Sequence, residues 1–163
     1  LSHMHRVLLV CMGNICRSPL ASAVMQAEVV RRGLQGRVAV ASAGVYDGHA
    51  GERADGRARR LALDRGYPAI ETERARGVRD DDFERFDLIL AMDHSNLRGL
   101  QRRCPEPHQH KLHLYLAYAG LGEREVPDPY YGPIEGFELV LGLCEQASGA
   151  VLDRLLASRT QTP

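Results

Sequence analysis

The apolar run Val7-Leu8-Leu9-Val10 leads without a break into Cys11-Met12-Gly13-Asn14-Ile15-Cys16-Arg17-Ser18, after which apolar residues recur at helical spacing. A short unbroken apolar run reads as a strand covered on both faces, and the spacing beyond it as a helix. The chain therefore opens on a strand, a tight loop and a helix. Gly13 and Asn14 suit a loop that curls inward and aims its backbone N–H groups at one point. Cys11 stands at the strand end and Arg17 at the helix start, so a thiol and a guanidinium face one small space. A loop of this kind binds a tetrahedral dianion and makes the thiol beneath it acidic. The alternative is a buried cysteine closing a strand beside a solvated arginine.

The remainder repeats this alternation. Residues 5–10 form the first predicted strand and 18–33 the first helix, stopped by Gly33. A second strand covers 38–43 and ends at Gly44; 45–56 reads as a polar, glycine-rich surface loop. Asp55 or a neighbour caps a helix that runs to about Arg65 and stops at Gly66. An acidic helical turn near 80–85 precedes a third strand at 87–92, and Asp93 or Ser95 caps a helix ending before Pro105. Lys111 to Leu116 supplies a fourth strand, and a loop with Pro127, Pro129 and Pro133 leads into a last helix at 134–157. Strands separated by helices are the sequence form of βαβ units, so the fold class is α/β: a mostly parallel sheet with helices on both faces. Ligands of such sheets bind beyond the carboxyl ends of the strands. Cys11 lies at one such end, and Ser42, Met92 and Asp93 lie at or near two others.

At 163 residues the chain makes one domain with a real core, and Leu1-Ser2-His3 ahead of Met4 reads as an expression-tag remnant, leaving 4–163 as the domain. A formal net charge of zero implies no general attraction to nucleic acid or to an anionic membrane. No stretch has the length of a membrane span and no signal-peptide pattern precedes the first strand, so a cytoplasmic location is expected. Cys11, Cys16, Cys104 and Cys144 then read as free thiols.

A nucleophilic cysteine must be a thiolate at working pH. Lowering a thiol from about 8.5 into the 4–6 range corresponds to roughly 3–6 kcal/mol. One helix terminus supplies only about 0.3–2 kcal/mol. Several loop N–H groups, the Arg17 charge and the Ser18 hydroxyl would have to make up the difference. The same donors, with Arg17 bidentate, stabilise the equatorial oxygens of a transferring phosphoryl group. Transfer from an ester also requires a proton for the departing oxygen. The candidate donor is Asp128, in Val126-Pro127-Asp128-Pro129-Tyr130-Tyr131-Gly132, where two prolines restrict the backbone around one carboxyl. By itself this segment reads first as an aspartate closing a Pro-rich turn; beside an activated Cys11 with no other evident acid it reads as the donor.

Taken together, the loop Cys11 to Ser18, Ser42-Ala43-Gly44, the stretch Phe86 to Leu97 and Asp128-Pro129-Tyr130-Tyr131 resemble the low-molecular-weight protein tyrosine phosphatases, in order and spacing, over nearly the whole chain. The resemblance implies a four-stranded parallel sheet of flavodoxin-like form and no metal or organic cofactor. It implies that Cys11 attacks phosphorus, that Arg17 and the loop from Met12 through Gly13, Asn14, Ile15 and Cys16 hold the phosphate, and that Ser18 assists the thiolate. It makes Asp128 the acid for the leaving phenolate and then the base for the hydrolytic water. Asn14 supports the loop in a left-handed conformation through a network including Ser42, with Asp93 a further support. Tyr130 and Tyr131 wall a slot for a phosphotyrosine ring, unless they only pack at the surface. Cys16 is either a trap for oxidised Cys11 or a small loop filler. The implied substrate is a phosphotyrosine-containing protein, a bacterial tyrosine kinase being one such protein, with inorganic phosphate as product.

Two positions depart from the pattern. An aromatic residue expected after Ser42-Ala43-Gly44 is replaced by Gly48, with Tyr46 and His49 nearby; a histidine expected before Ala75-Arg76 gives way to Glu73, ahead of Arg74. The first leaves the second wall of the slot open and the second alters the loop-supporting network. Cys104, His108, His110 and His113 lack a zinc-ligand spacing and read as a solvated loop entering a strand. Two other functions are compatible with an anion loop. A thiol-dependent arsenate reductase would need two more cysteines placed to relay a disulfide. A non-catalytic phosphotyrosine-binding module would need neither Cys11 nor Asp128.

Overall fold

The computed structural model describes residues 3–160; Leu1 and Ser2 of the tag reading lie outside them. Four parallel strands, β1 (His5–Cys11), β2 (Val38–Gly44), β3 (Leu88–Ala91) and β4 (Leu112–Leu114), pair in the order β2-β1-β3-β4. Helices α1 (Arg17–Arg31), α2 (Gly56–Asp64), α3 (Asp82–Arg85), α4 (His94–Arg103), α5 (Tyr115–Tyr118) and α6 (Ile134–Thr160) cover the two faces, with 3-10 turns at Pro68–Thr72 and Glu106–Lys111.

The period-two alternation of β1 divides the core. Val7, Leu9 and Cys11 join the face that holds Leu20 and Val24 of α1 and Phe137 and Leu141 of α6. Leu8 and Val10 join Phe83 and Leu100 on the other face. The parity that buries Val7 and Leu9 thus turns the Cys11 side chain toward α1, whose amino terminus begins six residues on. The chain leaves β1 for β2 on one side and for β3 on the other, and the crevice at that switch lies above Cys11.

The helix starts follow the polar caps. Asp55 accepts from the Arg57 N–H at 2.8 Å to open α2, and Asp93 accepts from the Asn96 N–H at 2.7 Å to open α4. Beyond α2, Gly66 takes φ +91°, the left-handed conformation that ends a helix at low cost. One expectation is corrected: the fourth strand is Leu112–Leu114, and Tyr115-Leu116 instead starts the helical turn α5. Tyr115, Leu116 and Tyr118 are all buried there, and a short apolar run carries no periodicity that separates strand from helix.

Candidate active site

The loop after β1 wraps around the Cys11 sulfur. The Asn14 N–H donates to Sγ at 3.3 Å, and the Ser18 Oγ stands 3.1 Å from it. Among the described residues, no hydrogen bond inside the protein engages the N–H groups of Gly13, Ile15 or Cys16. The first N–H groups of α1 have no intrahelical acceptor either. The first turn of α1 carries no acidic residue, so the positive end of its dipole is left for an anion.

Asn14 takes φ +60°, the left-handed conformation a non-glycine residue adopts only when its surroundings fix it. Its side chain supplies the fixing. Nδ2 donates to Ser18 Oγ at 2.7 Å and to Ser42 Oγ at 2.8 Å, while Oδ1 accepts from the Arg76 N–H at 3.0 Å. Gly44 brings β2 close enough to complete this floor: a Cβ there would sit 2.7 Å from the Met12 carbonyl oxygen. Asn14, Ser18 and Ser42 therefore lie beneath the loop, not in the wall of the cleft above it.

Arg17 is 3% exposed, and its orientation is set from behind. Nη1 donates to Asp93 Oδ2 at 2.7 Å and to the Val126 carbonyl at 3.0 Å. Asp93 thus supports the guanidinium, and it does so while capping α4 with its other oxygen. Val126 is itself pinned, its N–H donating to the Met92 carbonyl at 2.8 Å. The far nitrogen, Nη2, stands 3.8 Å from Asp128 Oδ2. Burial, with the negative charges of Asp55, Cys11 and Asp128 around it, pushes the Cys16 thiol far up, so the second cysteine of the loop stays protonated.

Above this floor opens a cleft of about 320 Å³ lined by Met12, Gly13, Ile15 and Cys16 and rimmed by Tyr46, His49, Asp128, Tyr130 and Tyr131. The Asp128 side chain is 50% exposed and accepts from the Tyr130 N–H at 3.1 Å. Tyr130 and Tyr131 meet edge to face at 4.8 Å. Tyr46 and His49, which line the same cleft, form a second edge-to-face pair at 6.0 Å. Gly48 explains how: a Cβ at this position would overlap the hydroxyl end of the Tyr46 ring. The Tyr46 ring occupies the space a side chain at 48 would fill, so the slot has its second aromatic wall from two residues upstream.

The residues of this geometry are those of a known family. The model of the low molecular weight phosphotyrosine protein phosphatases matches residues 6–161. The chain belongs to this family. A low molecular weight protein-tyrosine-phosphatase of Streptomyces coelicolor is 43% identical over 153 residues, 91% of this chain and 92% of that protein. The crystal structure of a protein tyrosine phosphatase from Entamoeba histolytica, with Hepes in its active site, superposes with a TM-score of 0.89 at 37% identity, covering 95% of this chain and 99% of that one. Wzb of Vibrio vulnificus, solved in complex with benzylphosphonate, superposes with a TM-score of 0.81 at 28% identity over 93% of this chain and 99% of its own. Cys11 and Arg17 fit the Cys-x5-Arg loop of the low-molecular-weight phosphatases.

Of two further supports, the first escapes sequence reasoning and the second shows there only as a departure from the family pattern. Arg57, bonded to both oxygens of Asp55, donates to the Tyr130 carbonyl at 3.0 Å and lies 4.5 Å over the Phe137 ring, so it ties the Asp128 segment to α2 and α6. In a chain this rich in arginine no local signal marks it. Glu73 is the other: it accepts from Ser42 Oγ at 2.7 Å and stands within reach of Gln26 and Ser22 of α1.

Proposed function

We propose that the protein hydrolyses phosphotyrosine and aryl phosphate monoesters through a cysteinyl-phosphate. The observation that carries the reading is the Cys11 sulfur, backed by an N–H and a hydroxyl, beside an arginine held rigid by Asp93 and the Val126 carbonyl. The sulfur attacks phosphorus in line with the aryl oxygen, and a P–S bond forms as the P–O bond breaks. Arg17 and the loop N–H groups hold the equatorial oxygens as charge develops on them. Asp128, on the rim 3.8 Å from Arg17, gives its proton to the departing phenolate. Its carboxylate then takes a proton from water, which attacks phosphorus, frees the Cys11 thiolate and releases inorganic phosphate.

The two aromatic pairs select the leaving group: a flat ring bearing phosphate fits between them. The substrate is thus a protein presenting phosphotyrosine, for which a bacterial tyrosine kinase is a fitting partner, and the cytoplasm is the compartment in which four unpaired cysteines stay reduced. A disulfide relay to arsenate is disfavoured, because Cys104 and Cys144 belong to the cores on opposite faces of the sheet. The test is release of phosphate from para-nitrophenyl phosphate and from a phosphotyrosine peptide. Wild type turns over both and Cys11→Ser neither; binding without turnover by the wild type would make the protein a reader instead.

A further inference from the structure

A hydroxyl has one proton to give, and the floor of the cleft contains two hydroxyls that share one amide. Asn14 Nδ2 spends both protons, on Ser18 and on Ser42. Each serine therefore accepts from Asn14 and must place its own proton elsewhere. Ser42 places it on Glu73 Oε1, 2.7 Å away. Ser18 has Cys11 Sγ at 3.1 Å and the Ala43 carbonyl at a longer 3.4 Å.

This order holds only while both ends are fixed. At one end the Arg76 N–H donates to Asn14 Oδ1 and sets the amide. At the other stands the Glu73 carboxyl, which when ionised accepts and cannot donate. Without that acceptor the Ser42 proton is free to turn toward Asn14; an amide turned to put its oxygen between the serines, with loss of its bond from the Arg76 N–H, would then take the Ser18 proton away from the sulfur. We infer that Glu73 is a positioning residue for the nucleophile, whose carboxylate, by taking the Ser42 proton, leaves the Ser18 proton to Cys11.

The surroundings of Glu73 make its charge conditional. From α1 it faces Ser22 and Gln26, and from β2 Ser42, all neutral donors. The nearby cations are engaged elsewhere: Arg74 with the carbonyls of Glu71 and Glu73, Arg53 with Glu71, and Arg76 with Asp82. Burial without a cation pushes the Glu73 carboxyl up from its ordinary value. On acidification Glu73 takes up a proton before an exposed glutamate would, and as an acid it can donate to Ser42 as well as accept, so the order of the chain to the sulfur is no longer enforced.

The inference rests on the phosphatase reading, and its test has a readout independent of turnover: the rate at which iodoacetamide alkylates Cys11, followed on the Cys11 peptide by mass spectrometry. Glu73→Ala should move the pH midpoint of Cys11 alkylation up by about one unit, the scale of one hydrogen bond to a charged group, and lower kcat about tenfold with KM within about threefold. Glu73→Gln, which still accepts from Ser42 but cannot ionise, should recover most of both and move the acid limb of kcat to lower pH. Wild-type alkylation in Glu73→Ala, or an equal loss in the two variants, would overturn the assignment. Should Glu73→Ala not fold, Glu73→Gln decides: an acid limb identical to the wild type refutes the role. A wild type that releases no phosphate sinks the phosphatase reading, while the alkylation rates still judge Glu73.

Discussion

The floor and the rim of the cleft are built on different terms. On the floor, Asn14 makes three side-chain hydrogen bonds, Arg17 two from one nitrogen, and Asp93 uses one oxygen for a helix cap and the other for Arg17. Every one of these groups is buried or nearly so, and each is held by elements far apart in the chain. On the rim, Tyr131 is 94% exposed, Tyr46 54%, and the Asp128 carboxyl accepts one local N–H bond. The contrast follows the chemistry. Charge that develops on a phosphoryl group is stabilised by donors that do not reorganise, whereas a leaving group on a protein surface must be admitted and released.

The largest effect should come from breaking the floor. Arg17→Lys keeps the charge but loses the fork that serves Asp93, Val126 and phosphate together. A fall of about 10³-fold in kcat/KM for para-nitrophenyl phosphate is expected, at the upper end for one preorganised donor. A loss below tenfold would mean that the guanidinium geometry matters less than its charge, and the floor would no longer be the rigid partner in the comparison.

Next comes the one rim residue assigned to bond breaking. Asp128→Asn should lower kcat about 10²-fold for phenyl phosphate and far less for an ester of a strongly acidic phenol, which needs no proton on departure. Because Asp128 must be protonated while Cys11 is ionised, kcat/KM in the wild type should be bell-shaped and peak below neutral pH, and the variant should lose the basic limb. Equal losses across leaving groups, or a wild-type rate still rising at pH 9, would remove Asp128 from the acid role.

The same contrast governs what could be read in the sequence. The β1–loop–α1 unit, the Asp55 and Asp93 caps and the Gly66 stop were legible because each is local: a run, a spacing, a polar residue at a helix start. Glu73 and Gly48 were legible only as departures. Their partners, Ser22 and Gln26 on α1 and the ring of Tyr46, come into view when elements far apart in sequence, or a loop's own path, bring them together. Arg57 and the Val126 carbonyl left no trace at all, since a backbone oxygen has no sequence signature and an arginine is one among many. The boundary of β4 failed for a different reason, a short apolar run that suits either period.

The second wall offers a smaller test. Gly48→Ala places a Cβ where the Tyr46 ring lies, so it should displace that ring as effectively as Tyr46→Ala removes it. Both should raise KM for aryl phosphates about three- to tenfold, the worth of one aromatic contact, with kcat moving less. If Gly48→Ala left KM unchanged while Tyr46→Ala raised it, the ring would have another place to stand.

The smallest effects are on stability, and two carboxylates give them opposite signs. Glu28, hydrogen-bonded by the Arg31 and Arg32 guanidiniums, is held down at about 2 from an ordinary value of 4.5. Its folded form binds a proton less readily than the unfolded chain, so its contribution is present above pH 4.5 and disappears as the pH falls toward 2. The pair is largely solvated on the arginine side, which limits it to about 1 kcal/mol or less. Glu73, raised by burial, works the other way: its folded form holds the proton more tightly, so the fold is favoured below pH 4.5 and loses that advantage as the pH rises through the raised value. Denaturant midpoints should therefore show Glu28→Gln less stable than the wild type at pH 7, with the gap closing in acid, and Glu73→Gln more stable at pH 7, with its gap closing on acidification toward pH 4. A Glu73→Gln variant that is destabilised at pH 7 would show that the buried charge is compensated by its three neutral donors, and the floor of the cleft would then carry no cost in stability for the order it imposes on Cys11.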